Sequence, residues 1–376
     1  MGTTPEDGAA STDSERLVGP RVRLLLGGLL LLAILVFVWY RLDWRSVLEV
    51  LEDASVPPLV VGGVTALLGL ACWSEAVRGL LPPGGETVTR RRGFLVYATG
   101  ALVRNVLPLG YASSIAILAY VYRREASISF DRSLAAVSVA EFTNVAASTT
   151  VAVVGAVLLV AFGPPSPLLR WLAGGVLLVV AGGTLATTAL WYRRDLVTRA
   201  LHAVAAALSA VAGRLTDRRN VRGPLSPDAV ESAIARYYRS LSTVSARRHS
   251  VGAAYGYSLL AWGGLVASLY LSGLAIGYRV PVPVAMLVVA VGGYATILPI
   301  PGGLGGYELG VTGAIALLAG VDVVTALATT LLFRLCTYWF VVGVGVVASA
   351  ALSVDVRGLA ARALGTGRAD SGSADR

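Results

Sequence analysis

No lysine occurs in the 376-residue chain, so all 31 lysine-plus-arginine positions are arginine. Cysteine is scarce too. Cys72 and Cys336 both stand in apolar runs, which excludes a disulfide scaffold and a cysteine zinc site and leaves them as small hydrophobes. There is no glycine-rich nucleotide loop and no paired-histidine motif. His202 and His249 both fall in one polar loop, so neither a metal nor a cofactor is expected. Charged residues make up only 14% of the chain. That leaves no soluble stretch large enough for aminoacyl or glycosyl transfer. The serines of the apolar runs have no evident His and Asp partners. The chain is therefore not expected to be an enzyme, with an intramembrane transferase built from arginine and glutamate as the alternative.

Apolar sequence is abundant. The chain is 56% hydrophobic with mean hydropathy +0.72, and several runs are long enough to cross a hydrocarbon core. The reading is an all-α polytopic membrane protein of the cell membrane. The net charge of +9 is then a topology signal rather than a nucleic-acid footprint. Residues 1–20 are polar and read as a disordered tail. Residues 21–351 read as the membrane domain and 352–376 as a cytoplasmic tail. A first span is expected over Val22–Tyr40, retained because no small-residue cleavage pattern follows it. Further spans are expected from Pro57 to Gly79, Leu134 to Phe162, Leu168 to Trp191, Val251 to Ile276 and Val323 to Ala350. Residues 193–250 carry eleven arginines against four acidic residues and read as a cytoplasmic loop. Within it, a helix over 228–246 with Arg236, Tyr237, Tyr238 and Arg239 suits the headgroup layer.

Two stretches are interrupted. Phe94–Leu107 carries Arg104 and Asn105, is broken at Pro108 and Gly110, and resumes as Tyr111–Tyr122. The second, ILPIPGGLGGYELG over 297–310, lies in an apolar tract from Pro281 to Gly320. Pro299 and Pro301 stop a helix there. Gly302, Gly303, Gly305 and Gly306 permit positive φ and close backbone approach. Broken backbone at membrane depth is tolerated only against protein or a wet cavity. This stretch reads either as the floor of a site or as an ordinary loop with Glu308 at the boundary. The economical count is six full spans plus two re-entrant or broken helix pairs. Opposite orientations of the two halves make an inverted repeat one reading.

Among the ionisable residues inside apolar segments, Arg104, Glu141, Glu308 and Arg334 stand out. Such groups usually face the bundle interior. The arginine forks suit a phosphate, while internal ion pairs that hold the bundle together are the alternative, and the two are compatible.

The run Pro301-Gly302-Gly303-Leu304-Gly305-Gly306-Tyr307-Glu308 resembles the Pro-Gly-Gly-x-Gly-x-x-Glu signature of the transmembrane region of lysylphosphatidylglycerol synthases. Arg104-Asn105-Val106-Leu107-Pro108 is similar to that family's asparagine-rich segment ending in Leu-Pro. Phe333-Arg334-Leu335 with Thr337-Tyr338-Trp339 is similar to its late Tyr-Arg-x-x-x-Tyr-Trp segment. The likeness covers roughly residues 20–350. One departure stands out: many members follow Leu-Pro with Gly-Glu and an arginine, whereas Gly110 here precedes Tyr111, Ala112, Ser113 and Ser114. The resemblance implies a lipid-translocating module. A flippase for a phospholipid or polyprenyl-phosphate lipid is the first expectation. A non-catalytic membrane partner of a cytoplasmic-face lipid- or glycan-modifying enzyme is the alternative. Membrane lipids are the expected partners, and no nucleic acid is. The substrate-binding set would be Arg104, Asn105, Glu141, Gly302, Gly303, Gly305, Glu308, Arg334 and Tyr338.

The arginine bias places both termini and the 193–250 loop in the cytoplasm. Among Ser11→Cys, Ser166→Cys, Ser232→Cys and Ser371→Cys, only Ser166→Cys is expected to react with an impermeant thiol reagent in intact cells. Labelling at position 232 would break the re-entrant assignment of 94–122.

Overall fold

The computed structural model describes residues 44–83, 86–107, 110–162, 227–295 and 301–352, with scattered positions between 171 and 185. Every regular element among them is helical. Two compact units divide the chain at Glu52. In the first, the described part is α1 (Trp44–Glu52), an amphipathic helix with an exposed Arg45–Glu49 ion pair at 3.3 Å. The second unit contains α2 (Val56–Leu80), α3 (Arg90–Val106), α4 (Gly110–Ala126), α5 (Phe130–Phe162) and α6 (Pro227–Ser245). It continues with α7 (Arg248–Ala275), α8 (Val282–Ala295), α9 (Gly306–Ala319), α10 (Val323–Arg334) and α11 (Phe340–Ala351).

Local sequence sets the helix ends. Prolines stand in the first turn of α2, where a missing N–H costs nothing. The Thr89 hydroxyl accepts from the Arg92 N–H and opens α3. Leu107 leaves α3 in an extended conformation, as a residue before proline must. Asp322 caps α10 by accepting the Thr325 N–H at 2.9 Å. That backbone hydrogen bond holds its carboxyl below the usual carboxylate range.

Four segments are long and apolar enough to cross a membrane: α2, α5, α7, and α10 with α11, which run on through Val323–Ala351. The expectation of six full spans is therefore corrected to four among the described residues. The runs Val22–Tyr40 and Leu168–Trp191 lie outside those residues or are described only at scattered positions. The tails at 1–20 and 353–376, and residues 193–226, also lie outside the described residues.

The interrupted stretches form two short hairpins. In the first, α3 and α4 have 17 residues each, about 25 Å of helix. Near its open end Arg92 pairs with Glu125 at 3.5 Å, and the Tyr122 hydroxyl donates to the Gly93 carbonyl at 3.1 Å. In the second, α8 and α9 have 14 residues each, about 21 Å and too short to span alone.

The hairpins open at opposite ends of the bundle. At the arginine-rich end, the Glu86 N–H donates to the Ala126 carbonyl at 2.9 Å, and Arg247 donates to the carbonyls of Leu80 (3.3 Å) and Leu81 (3.0 Å). At the other end, the Ser55 N–H donates to the Ala275 carbonyl at 2.7 Å, seven residues before α8 begins at Val282. One apolar core gathers around α3, α4 and the first half of α5. A second gathers around α7, α8, α9 and the second half of α5. Trp73 packs against both. Outer faces remain apolar, with Val60, Val64, Leu68, Val157 and Val347 exposed, as suits a lipid-facing surface.

The helix expected over 228–246 is α6, one residue earlier at each end. It does more than lie at an interface. The Tyr237 hydroxyl donates to Ser138 Oγ at 3.1 Å, which docks the helix on α5.

α2 and α7 cross where small residues let two backbones touch. A Cβ on Gly264 would lie 2.7 Å from the Thr65 carbonyl oxygen, whereas one on the adjacent Gly263 would meet nothing within 4 Å. Gly264→Val is expected to cost ~1–3 kcal/mol through overpacking and to lower the unfolding temperature in detergent. Gly263→Ala should leave it unchanged, and equal losses would show that this crossing does not depend on backbone contact.

Candidate functional site

The site is built from the two broken tips and the helix that passes them. Residues 296–300 lie outside the described residues, so the site begins at Pro301. Pro301–Gly303 forms a tight 3₁₀ turn in which Gly302 has φ 59°. This is the left-handed region that a side chain disfavours. A Cβ there would also come 2.3 Å from Tyr338 Cε2. Gly303 and Gly305 share the positive φ, at 66° and 84°, and turn the chain into α9. The first turn of α9 then carries Glu308.

Arg334 ends α10 and is only 6% exposed. Its Nε donates to Glu308 Oε1 at 2.7 Å, and its Nη2 donates to the Gly302 carbonyl at 2.9 Å. The other Glu308 oxygen accepts the Gly305 N–H at 2.6 Å. One carboxylate thus caps α9, where the helix dipole favours it, and neutralises the arginine. The guanidinium lies between two rings, 4.0 Å from the Tyr338 centroid and 4.8 Å from that of Tyr307, both within cation–π range. The helix changes to a π turn over Leu335–Trp339 immediately after Arg334, a distortion frequent at functional sites.

The first hairpin supplies the opposite wall. Arg104 donates from Nη2 to Glu141 Oε1 at 2.5 Å and from Nε to Ser114 Oγ at 3.3 Å. Asn105 donates its amide to the Ala101 carbonyl at 2.9 Å, and its own carbonyl accepts the Tyr338 hydroxyl at 3.3 Å. Asn144, one turn beyond Glu141, donates to Glu141 Oε2 at 3.4 Å. Its side-chain oxygen accepts both the Trp73 and the Trp262 indole N–H at 2.9 Å. The two indoles meet edge to face at 6.0 Å.

Between these walls lies a cavity of about 160 Å³ lined by Trp73, Tyr97, Arg104, Asn105, Tyr307, Arg334 and Thr337, with Phe333 and Leu265 among its apolar sides. Arg104 and Arg334, far apart in sequence, share this cavity. Glu141 and Glu308 stand beside their arginines rather than on its lining. Gly302, Gly303 and Gly305 shape the loop that Arg334 grips, and Tyr338 bridges it to the first hairpin. Trp73, Tyr97 and Tyr307 are lining residues that the sequence reading did not select. Tyr307 lay inside the quoted glycine motif, but nothing in the spacing of Trp73 or Tyr97 set them apart from ordinary core aromatics. Among the described residues, no group of three His, Cys, Asp or Glu side chains is placed to hold a metal.

Residues 24–345 match the family described as the lysylphosphatidylglycerol synthase TM region. The chain belongs to that family. The matched region is the transmembrane part of those synthases, which agrees with reading the chain as not itself an enzyme. It is also similar to "Glycosyltransferase AglD" of Haloferax volcanii, at 28% identity over 331 residues, covering 83% of this chain and 51% of that protein. The chain thus spans about half the length of the curated relative it matches. No solved structure matches. This family member is a multi-pass helical membrane protein, the membrane region of a lipid-modifying synthase family.

Truncating one member of a buried ion pair leaves the other charge uncompensated and costs ~3–5 kcal/mol, whereas replacing both with apolar groups is often neutral. Arg334→Leu alone should therefore lower the unfolding temperature in detergent, and Arg334→Leu with Glu308→Leu should recover much of the loss. A double variant no more stable than the single one would show that the pair is not what holds the loop.

Proposed function

We propose that this chain is the lipid-holding membrane partner of a lipid- or glycan-modifying enzyme that works on the cytoplasmic face. The carrying observation is that two arginines from separate elements line one cavity. Guanidinium forks bind phosphate oxygens in pairs, and the rest of the lining is mostly apolar. The phosphate of a phospholipid or a polyprenyl-phosphate lipid fits that chemistry. In this reading Arg104 and Arg334 receive the phosphate, and Asn105 and Tyr338 contact the headgroup. Glu141 and Glu308 hold the arginines when the cavity is empty and accept a cationic headgroup when there is one. The N–H groups around Gly302, Gly303 and Gly305 approach from the loop.

The family and the glycosyltransferase name of the relative both support a partnership with a modifying enzyme. Both termini are assigned to the cytoplasm on the arginine bias. Mild solubilisation of native membranes should recover the chain with an enzyme of that class, and deletion should alter a lipid or lipid-linked glycan. A partner-free protein, with lipids and glycans unchanged in the deletion strain, would overturn the reading.

The two hairpins favour a second reading, translocation of the lipid between leaflets. Asn105 on the first hairpin and Gly302 on the second are linked through Tyr338 and Arg334, and each hairpin opens at a different end, an arrangement compatible with alternating access to one central site. Reconstituted protein should then accelerate leaflet exchange of a labelled lipid. Exchange no faster than in protein-free liposomes, across several headgroups, would remove transport and leave the partnership.

A further inference from the structure

A second cavity, of about 420 Å³, opens at the arginine-rich end of the bundle, between the first turn of α5, α6 and the Pro82-Pro83 turn. Its volume falls in the range of small-ligand sites. Arg132, Arg236 and Arg239 line it, with Asp131, Ser240 and Thr243. Arg236 and Arg239 are three apart on α6 and so share a helix face. Arg132 approaches from α5. Asp131 is already engaged, accepting the Ser240 hydroxyl at 2.9 Å. Among the described residues, none of the three arginines lies within ion-pair distance of a carboxylate, and Arg236 donates only to Ser232 Oγ at 3.1 Å. Three guanidinium charges against one carboxylate leave an excess of two. Arg236 and Arg239 are held on a docked helix rather than on a loose loop, since Tyr237 fixes α6 to Ser138 and Arg247, just past its end, donates to the Leu80 and Leu81 carbonyls.

We propose that this pocket is a second, surface-level site for a phosphate-bearing anion, and that the phosphate is that of an anionic lipid headgroup in the adjoining leaflet. Nothing in this depends on the central cavity. The chemistry is that of three donor forks converging on phosphate oxygens. The lipid source follows from position. The pocket sits where α2 ends and α5 begins, at the arginine-rich end of the bundle that also carries the exposed Arg91 and Arg123, the end where a headgroup would lie when acyl chains surround the spans.

The test reads the pocket locally. Thr243 is exposed and lines it, so Thr243→Cys in the full chain places a thiol at its mouth. Maleimide labelling at position 243 would be followed by peptide mass spectrometry in nanodiscs of phosphatidylcholine alone or of phosphatidylcholine with phosphatidic acid. Phosphatidic acid is expected to slow labelling about fivefold, as occupancy of most copies requires, and adding Arg236→Gln and Arg239→Gln should abolish the protection. Arg91→Gln with Arg123→Gln removes the same charge at the same end but outside the pocket, and should keep the protection. Equal loss in that control would reduce the effect to a diffuse surface field and overturn the site. Protection by inorganic phosphate in phosphatidylcholine nanodiscs, without any from phosphatidic acid, would overturn the lipid assignment. Unchanged labelling in every arm would overturn both.

Discussion

Arg334 is gripped by a carbonyl and a carboxylate that come from one short loop. The bond to Gly302 satisfies a backbone oxygen exposed where the chain breaks inside the bundle, and unsatisfied backbone in such surroundings costs several kcal/mol. The bond to Glu308 neutralises a charge that burial would otherwise penalise. Because the loop is fixed to α10, Tyr338 can lie over the guanidinium and still reach the Asn105 carbonyl on the first hairpin. Remove that grip and the two hairpin tips lose what joins them.

The wall across the cavity follows the same logic. Arg104 and Glu141 pair between α3 and α5, and Asn144 extends the network to two tryptophans on α2 and α7. Each arginine has one glutamate, so the central site is close to neutral at rest. In the proposed reading, a phosphate would compete with a carboxylate rather than fill an uncompensated positive hole, and a lipid bound that way would be able to leave again. The surface pocket by α6 differs because three arginines line it with a single carboxylate, Asp131, which leaves it a net positive field.

The membrane character, the two interruptions and the four ionisable residues could all be read from local signals. Proline and glycine at 301–306 have only a few backbone conformations open to them, and charges in apolar runs are rare enough to single out. The span count was not legible. Hydropathy marks apolar length alone, and of the six runs with that length, those at Pro57, Leu134, Val251 and Val323 are the long apolar helices among the described residues. Nor did pattern mark Trp73 and Tyr97 as cavity walls, since an aromatic against another helix and an aromatic against a cavity have the same local sequence.

The sequence by itself determined that the chain lives in a bilayer, where it must break, and which charges need internal partners, because each of these depends on solvation and backbone sterics over a few residues. Tertiary structure alone decided which glutamate serves which arginine, that Arg104 and Arg334 share one cavity, and that Arg132 joins Arg236 and Arg239 at the surface. Those pairings join residues dozens to more than two hundred positions apart. They depend on how close-packed helices cross, as at Gly264, where the gap of a single missing Cβ sets how near two backbones come.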